Sequence, residues 1–125
     1  MLLDVYSAGS ILRELSMPKP DSLQGSLDLL VLKILSRRPR SHGYVIMTAI
    51  KEISDDVLRV EEGSLYPALQ RMRQKGWIKA EWGETPNNQR ARYYTITALG
   101  RRQLNEEENG FAELMAAVRR VMRTT

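Results

Sequence analysis

The residues best suited to chemistry in this chain are cations and amides rather than nucleophiles. Between residues 63 and 103 stand Arg71, Arg73, Lys75, Lys79, Arg90, Arg92, Arg101 and Arg102 against only Glu81 and Glu84, a net of +6. The flanking stretches 1–62 and 104–125 each carry a net of −1, so the whole formal excess of +4 lies in the middle of the chain. Charge segregated in this way suits a polyanion, because each phosphate neutralised by Lys or Arg releases condensed counterions. Interleaved with these cations are Ser64, Tyr66, Gln70, Asn88 and Gln89. Gln can pair bidentately with adenine and Arg with guanine, while Ser and Tyr more often hold phosphates. An ordinary solvated surface is the competing account of the same residues.

Other chemistries are poorly supplied. The 125 residues include no Cys and one His, which removes disulfides, thiol catalysis, Cys-ligated metals and multi-His metal sites within one chain. His42 would have to serve any Ser-His-Asp relay alone, and reads better as a cap or structural histidine than as a catalyst. No constellation of acid, base and nucleophile stands out, so neither an enzyme nor a bound cofactor is expected. The longest purely apolar run, Leu114–Val118, is far short of a bilayer. The N-terminus lacks a basic region followed by an apolar stretch. A small, basic, cytoplasmic protein with no membrane span is the expectation, and 42% hydrophobic content is ordinary for a folded domain.

The positioning elements follow from periodicity. Leu27, Leu30, Val31 and Ile34 share one helical face after Ser26, a plausible N-cap, while Leu29, Leu32 and Leu35 continue around the other side. A helix apolar nearly all round needs cover on more than one side, and in so small a domain a second subunit could supply it. Val45, Ile46, Ala49, Ile50 and Ile53 mark a second helix, closed by Asp55-Asp56, and Val57–Val60 reads as a brief extended piece. A third helix runs from Ser64, its expected cap, through Pro67 in the first turn to a stop at Gly76. Leu65, Ala68, Leu69 and Met72 form its inward stripe. At about 100° per residue, Gly63, Pro67, Gln70 and Gln74 face outward, flanked by Ser64, Tyr66, Arg71 and Arg73.

Two β-prone runs come next, Trp77–Trp82 with Ile78, Ala80 and Trp82 inward, and Arg92–Ile96 with Tyr94 and Ile96 inward and Tyr93 exposed. Gly83–Ala91 between them reads as a long basic hairpin tip. Thr97 caps a last helix from Ala98 to about Arg123, along which Phe111, Leu114, Met115, Val118, Val121 and Met122 recur close to heptad spacing. Gly110 is a weak point in it. The fold class is therefore mainly α with a small β hairpin (α+β): a winged helix-turn-helix over 21–100 and a C-terminal dimerisation helix over 101–125. Residues 1–20 are an appendage of unknown role, separated by Met17-Pro18-Lys19-Pro20, and Met17 is a candidate start. In such a fold one helix enters the roughly 12 Å major groove while the hairpin wing reaches neighbouring backbone or minor groove.

Five segments together resemble the PadR family of bacterial transcriptional regulators: Gly25–Leu32, His42-Gly43-Tyr44, Glu62–Leu69, Gly76-Trp77-Ile78 and Arg92–Gly100. The resemblance spans residues 25–100 and is of the type with a short C-terminus. It implies a homodimeric, cytoplasmic repressor that binds double-stranded DNA and dimerises through its last helix with the first. Some family members sense phenolic acids or drugs in the dimer cleft, but no motif here carries a small-molecule effector over.

The expected DNA-contacting residues are Tyr44, Ser64, Tyr66, Gln70, Arg71, Arg73, Asn88, Arg90 and Arg92. Tyr44 either touches a phosphate or packs, and Asn88 either touches DNA or makes the turn. Trp77 and Trp82 read as packing rather than as a ligand sandwich. The expected dimer residues are Leu29, Leu32, Phe111, Leu114, Met115, Val118, Val121 and Met122. The competing function is a winged helix that docks an acidic protein without binding DNA.

Overall fold

The computed structural model describes residues 22–124, with side-chain surroundings from residue 26 onward; the readings made for residues 1–20 lie outside it. Four helices and three short strands follow in the order α1 (Ser22–Arg37), β1 (Ser41–His42), α2 (Gly43–Ile53), α3 (Glu62–Gln74), β2 (Ile78–Glu84), β3 (Arg90–Ile96) and α4 (Ala98–Met122). The expected architecture, a mainly helical winged helix-turn-helix followed by one long helix, is what the chain adopts.

α1 runs through the centre. It packs against α2, α3, α4 and β3 of the same chain, which leaves Val31, Leu32 and Leu35 fully buried and Ile34 nearly so. The helix that is apolar all round is therefore covered by its own domain. Leu32, expected in a dimer interface, belongs instead to the monomer core, with half-buried Leu29 packed at its margin. α1 also begins at Ser22, before the expected cap Ser26. Its Lys33 Nζ lies 2.8 Å from Glu108 Oε2, tying α1 to α4.

α3 buries the expected stripe of Leu65, Ala68, Leu69 and Met72. Its start differs: Glu61 is the N-cap residue, and Ser64 lies inside the first turn, where its N–H donates to Glu61 O at 3.0 Å. Pro67 consequently falls beyond the first turn, where the N–H it lacks leaves the Gly63 carbonyl without its helical donor. Gly76 takes φ +80°, the left-handed conformation that stops a helix, and Trp77 N–H then donates back to Met72 O at 3.0 Å. Ile53 is exposed rather than part of the α2 stripe, and Val57–Val60 forms no strand. Ser54 Oγ accepts from Leu58 N–H at 2.9 Å, so a side chain satisfies this stretch locally.

The sheet is antiparallel in the order β1-β3-β2. Its third member, two residues of β1 opposite Tyr93 and Tyr94, is too short to carry a two-residue period. Pairing of β2 with β3 extends to Gly83↔Ala91 and Glu84↔Arg90, so the wing loop is only Thr85–Gln89 and both Arg90 and Arg92 stand on the strand. Tyr93, expected outside, is buried: Arg40 stacks on its ring at 4.0 Å, His42 meets it edge-on, and its hydroxyl donates to Glu84 O at 3.0 Å. Thr97 caps α4 as expected, its hydroxyl accepting from Gly100 N–H at 3.0 Å. α4 runs unbroken across residues 100–101, and its Leu104 joins the core.

Candidate nucleic-acid interface

α3 and the wing form opposite walls of a groove of about 870 Å³. Tyr66 and Gln70 line it from α3, Trp82, Arg90 and Arg92 from the wing strands, and the loop residues Thr85–Asn87 and Gln89 from the tip. Buried Tyr94 also lines it, and the start of α2 contributes His42, Gly43 and Tyr44. Tyr44 is 65% exposed, which favours the contact reading over packing. Tyr66 folds back so that its hydroxyl end rests over Gly43, where any Cβ would collide with it. Burial raises the Tyr66 phenol above its ordinary pKa, with Glu62 and Tyr94 acting in the same direction. Tyr94 is raised by its own burial, against the pull of Arg92 and Arg73.

The cations divide into occupied and free. Arg71, expected on the outward face, turns inward, its Nη2 2.7 Å from Oδ1 of Asp28 on α1. The reason is electrostatic. Asp28 is a carboxylate with only 7% of its side chain exposed, and the guanidinium is the partner that lets it stay there. Burial still raises the Asp28 carboxyl above its ordinary value of 3.8, outweighing the pull of Arg71. Arg73 donates to Gln70 Oε1 through Nη2 and Nε, at 3.0 and 3.3 Å. Arg90 and Arg92, by contrast, have no carboxylate partner among the described residues; the four ion pairs found there use Lys33, Arg40, Arg59 and Arg71. Arg92 Nε is buried without an acceptor.

Asn88 takes φ +63° at the tip, and its N–H donates to Thr85 O at 2.8 Å, so it makes the turn. Ser64, Arg73 and Asn88 are not among the groove walls. Sequence reasoning missed Trp82, His42 and Tyr94 as groove residues. Trp82 was expected to point inward, and it does lie on the core face of the sheet, but that face outruns the core and leaves the indole 55% exposed. Asp28 was also missed, although a lone carboxylate inside an otherwise apolar helix is a signal that a cation must come to it. On α4, Phe111, Val121 and Met122 are exposed and Leu114, Met115 and Val118 half-buried.

Among the described residues no group of three or more His, Asp or Glu side chains is placed to hold a metal ion, and no helix is long and apolar enough to cross a membrane. Comparison with known proteins adds the family. The model of the PadR-like transcriptional regulator family matches residues 31–106. An uncharacterized protein of Lysinibacillus sphaericus is 31% identical over 98 residues, covering 78% of this chain and 89% of that one. The structure of a transcriptional regulator from Clostridium thermocellum superposes with a TM-score of 0.70 at 29% identity, over 83% of this chain and 99% of that one. A PadR-like transcriptional regulator from Bacillus cereus superposes with a TM-score of 0.69 at 27% identity, over 82% and 97% of the two chains. With more than half its length matched by that family model, the chain belongs to the PadR-like family of transcriptional regulators.

Proposed function

We propose that the chain is a homodimeric repressor that binds a palindromic operator in double-stranded DNA. The observation that carries this reading is the groove between α3 and the wing, with polar Gln70 and Tyr66 on one wall and two uncompensated arginines on the other. One sugar-phosphate strand fits between an α3 inserted in the major groove and a wing over the adjacent minor groove. Tyr66 and Gln70 would meet the DNA from α3, with Ser64 and Arg73 beside them. Arg90 and Arg92 would neutralise phosphates or enter a narrow minor groove. Tyr44, at the start of α2, would hold a phosphate. In this division residues 21–100 bind DNA and residues 101–125 dimerise.

Dimerisation draws its support from α4. Phe111, Val121 and Met122 expose apolar surface at helical spacing beside half-buried Leu114, Met115 and Val118, and half-buried Leu29 on α1 is the remaining candidate there. Two-fold pairing through this stripe would present two α3 helices about 34–36 Å apart, one turn of DNA. Repression would follow from occlusion of polymerase. Release would require an effector of still unassigned chemistry that favours a geometry unable to bind DNA.

The test is selection of bound sequences from a random duplex pool by the purified chain, together with its mass in solution. A palindrome with half-site centres about 10–10.5 base pairs apart, a two-chain mass and affinity falling steeply with salt are the expected results. No enriched palindrome, or a flat salt dependence, would refute DNA recognition and leave an acidic protein as the partner. Val118→Glu should give a one-chain mass with the fold intact; an unchanged two-chain mass would exclude α4 as the seam.

A further inference from the structure

We infer that Trp82 is a positioning residue for DNA binding: its indole is the shelf that holds Arg90 and Arg92 side by side against the groove. This rests on the DNA-binding reading above. The register sets the arrangement. Trp82 lies directly opposite Arg92, and Arg90 is two residues further along the same strand, on the same face of the sheet. The guanidinium carbon of Arg90 lies 4.8 Å from the ring centroid of Trp82 and that of Arg92 5.4 Å. Both fall within the reach of a cation–π attraction, about 6 Å.

Core packing does not account for this tryptophan. Ile78 and Ile96, nearest the core on that face, are buried, whereas the Trp82 ring is more than half exposed and lines the groove. The other face of the sheet carries a similar stack, Arg40 over Tyr93 at 4.0 Å. There Glu81 Oε2 accepts from Arg40 Nε at 2.9 Å, so the charge is neutralised within the protein. On the Trp82 face Glu84 stands opposite Arg90 in the register, but among the described residues it forms no ion pair with Arg90 or Arg92, and the indole orders the cations without neutralising them. A free arginine loses rotamer freedom when it meets a phosphate; a stacked pair has lost part of it beforehand.

The test uses the whole chain and a fluorescein-labelled random-sequence duplex pool at low salt, which needs no known operator. Trp82→Leu, which keeps bulk but removes the π face, should weaken binding about three- to tenfold. Trp82→Phe should stay within about twofold of the wild type, since a Phe face also attracts cations. In an Arg90→Ala/Arg92→Ala background, Trp82→Leu should cost nothing more. In the DNA-free protein, ring-current shifts of the Arg90 and Arg92 side-chain resonances should survive Trp82→Phe and vanish in Trp82→Leu, and they can be read in the phenylalanine variant even if the leucine one fails to fold. Equal losses for Leu and Phe, an undiminished cost without the arginines, or absent ring-current shifts would each overturn the inference while DNA binding stands. Failure of the wild type to bind the pool would overturn the DNA reading itself.

Discussion

On α3 the arginines are already engaged, Arg71 by buried Asp28 and Arg73 by Gln70, whereas on the wing Arg90 and Arg92 form no ion pair among the described residues and lie over the face of an indole. The two walls of one groove therefore differ in kind. The α3 wall offers shape and hydrogen-bonding groups, chiefly the Tyr66 ring and the Gln70 amide, and the wing wall offers charge. Counting charges along the sequence hides this, because the carboxylate that cancels Arg71 lies 43 residues earlier, outside the basic segment. The engaged state of Gln70 matters as well. Its oxygen already accepts from Arg73, so the pair presents donors only, which suits the acceptor edge of guanine better than the mixed edge of adenine.

The largest expected effect tests whether Arg71 belongs to the fold. Arg71→Met should destabilise the chain by about 2–3 kcal/mol, because Asp28 keeps its burial and loses its partner. The slope of DNA affinity against salt should stay unchanged. Asp28→Asn in the same chain should recover most of the stability, since a neutral amide replaces the stranded charge. The pH dependence has a definite sign. Asp28 titrates above its ordinary 3.8 in the folded chain, so the native state binds a proton more readily than the unfolded state. Its contribution to stability then falls as pH rises through the window above 3.8. Removing Arg71 removes a lowering influence and widens that window, so the variant should regain stability on mild acidification. Urea unfolding across pH measures this. Full stability with lost DNA affinity would return Arg71 to the DNA-facing side and erase the contrast.

A smaller effect is expected from the opposite wall. Arg90→Ala/Arg92→Ala should lower stability in urea unfolding by no more than about 1–2 kcal/mol, since neither side chain pairs with a carboxylate and each loses only its stack on Trp82. DNA affinity should drop roughly tenfold or more at moderate salt, and the logarithmic salt slope should shrink by up to about 1.8, near 0.9 for each phosphate left without its arginine. An unchanged slope would mean that the wing charge never meets the backbone.

These contrasts also mark what the sequence could disclose. The inward stripe of α3, the stop at Gly76 and the cap at Thr97 were legible because each is local: a repeat near 3.6, a residue free to take positive φ, a hydroxyl three residues before an N–H. What escaped is non-local. Arg71 sits at the border of the outward face, and only a carboxylate on another helix decides which way it turns. Leu32 looked like an interface residue because nothing in a helical repeat tells how many neighbours the same chain will bring to it. Trp82 obeyed the strand alternation, yet alternation reports the face and not where the core beneath it ends. Tyr93 lay on the other face, and His42 of β1, with Arg40 just before that strand, covers it.

The smallest expected effect concerns how firmly α3 presents its own wall. A methyl group on Gly43 would run into the hydroxyl end of Tyr66, which is the free end of a partly exposed ring and can swing away. Gly43→Ala should therefore change stability by less than about 1 kcal/mol, a displaced surface ring being offset by the better helix propensity of Ala. DNA affinity should nevertheless fall severalfold, because the displaced ring would crowd the groove between α3 and the wing. If the ring is the whole cause, Tyr66→Ala should make the two chains equivalent, with Gly43→Ala costing nothing further in that background. A cost that persists without the ring would place the sensitivity at the start of α2 itself, where Gly43, Tyr44 and Val45 line the same groove.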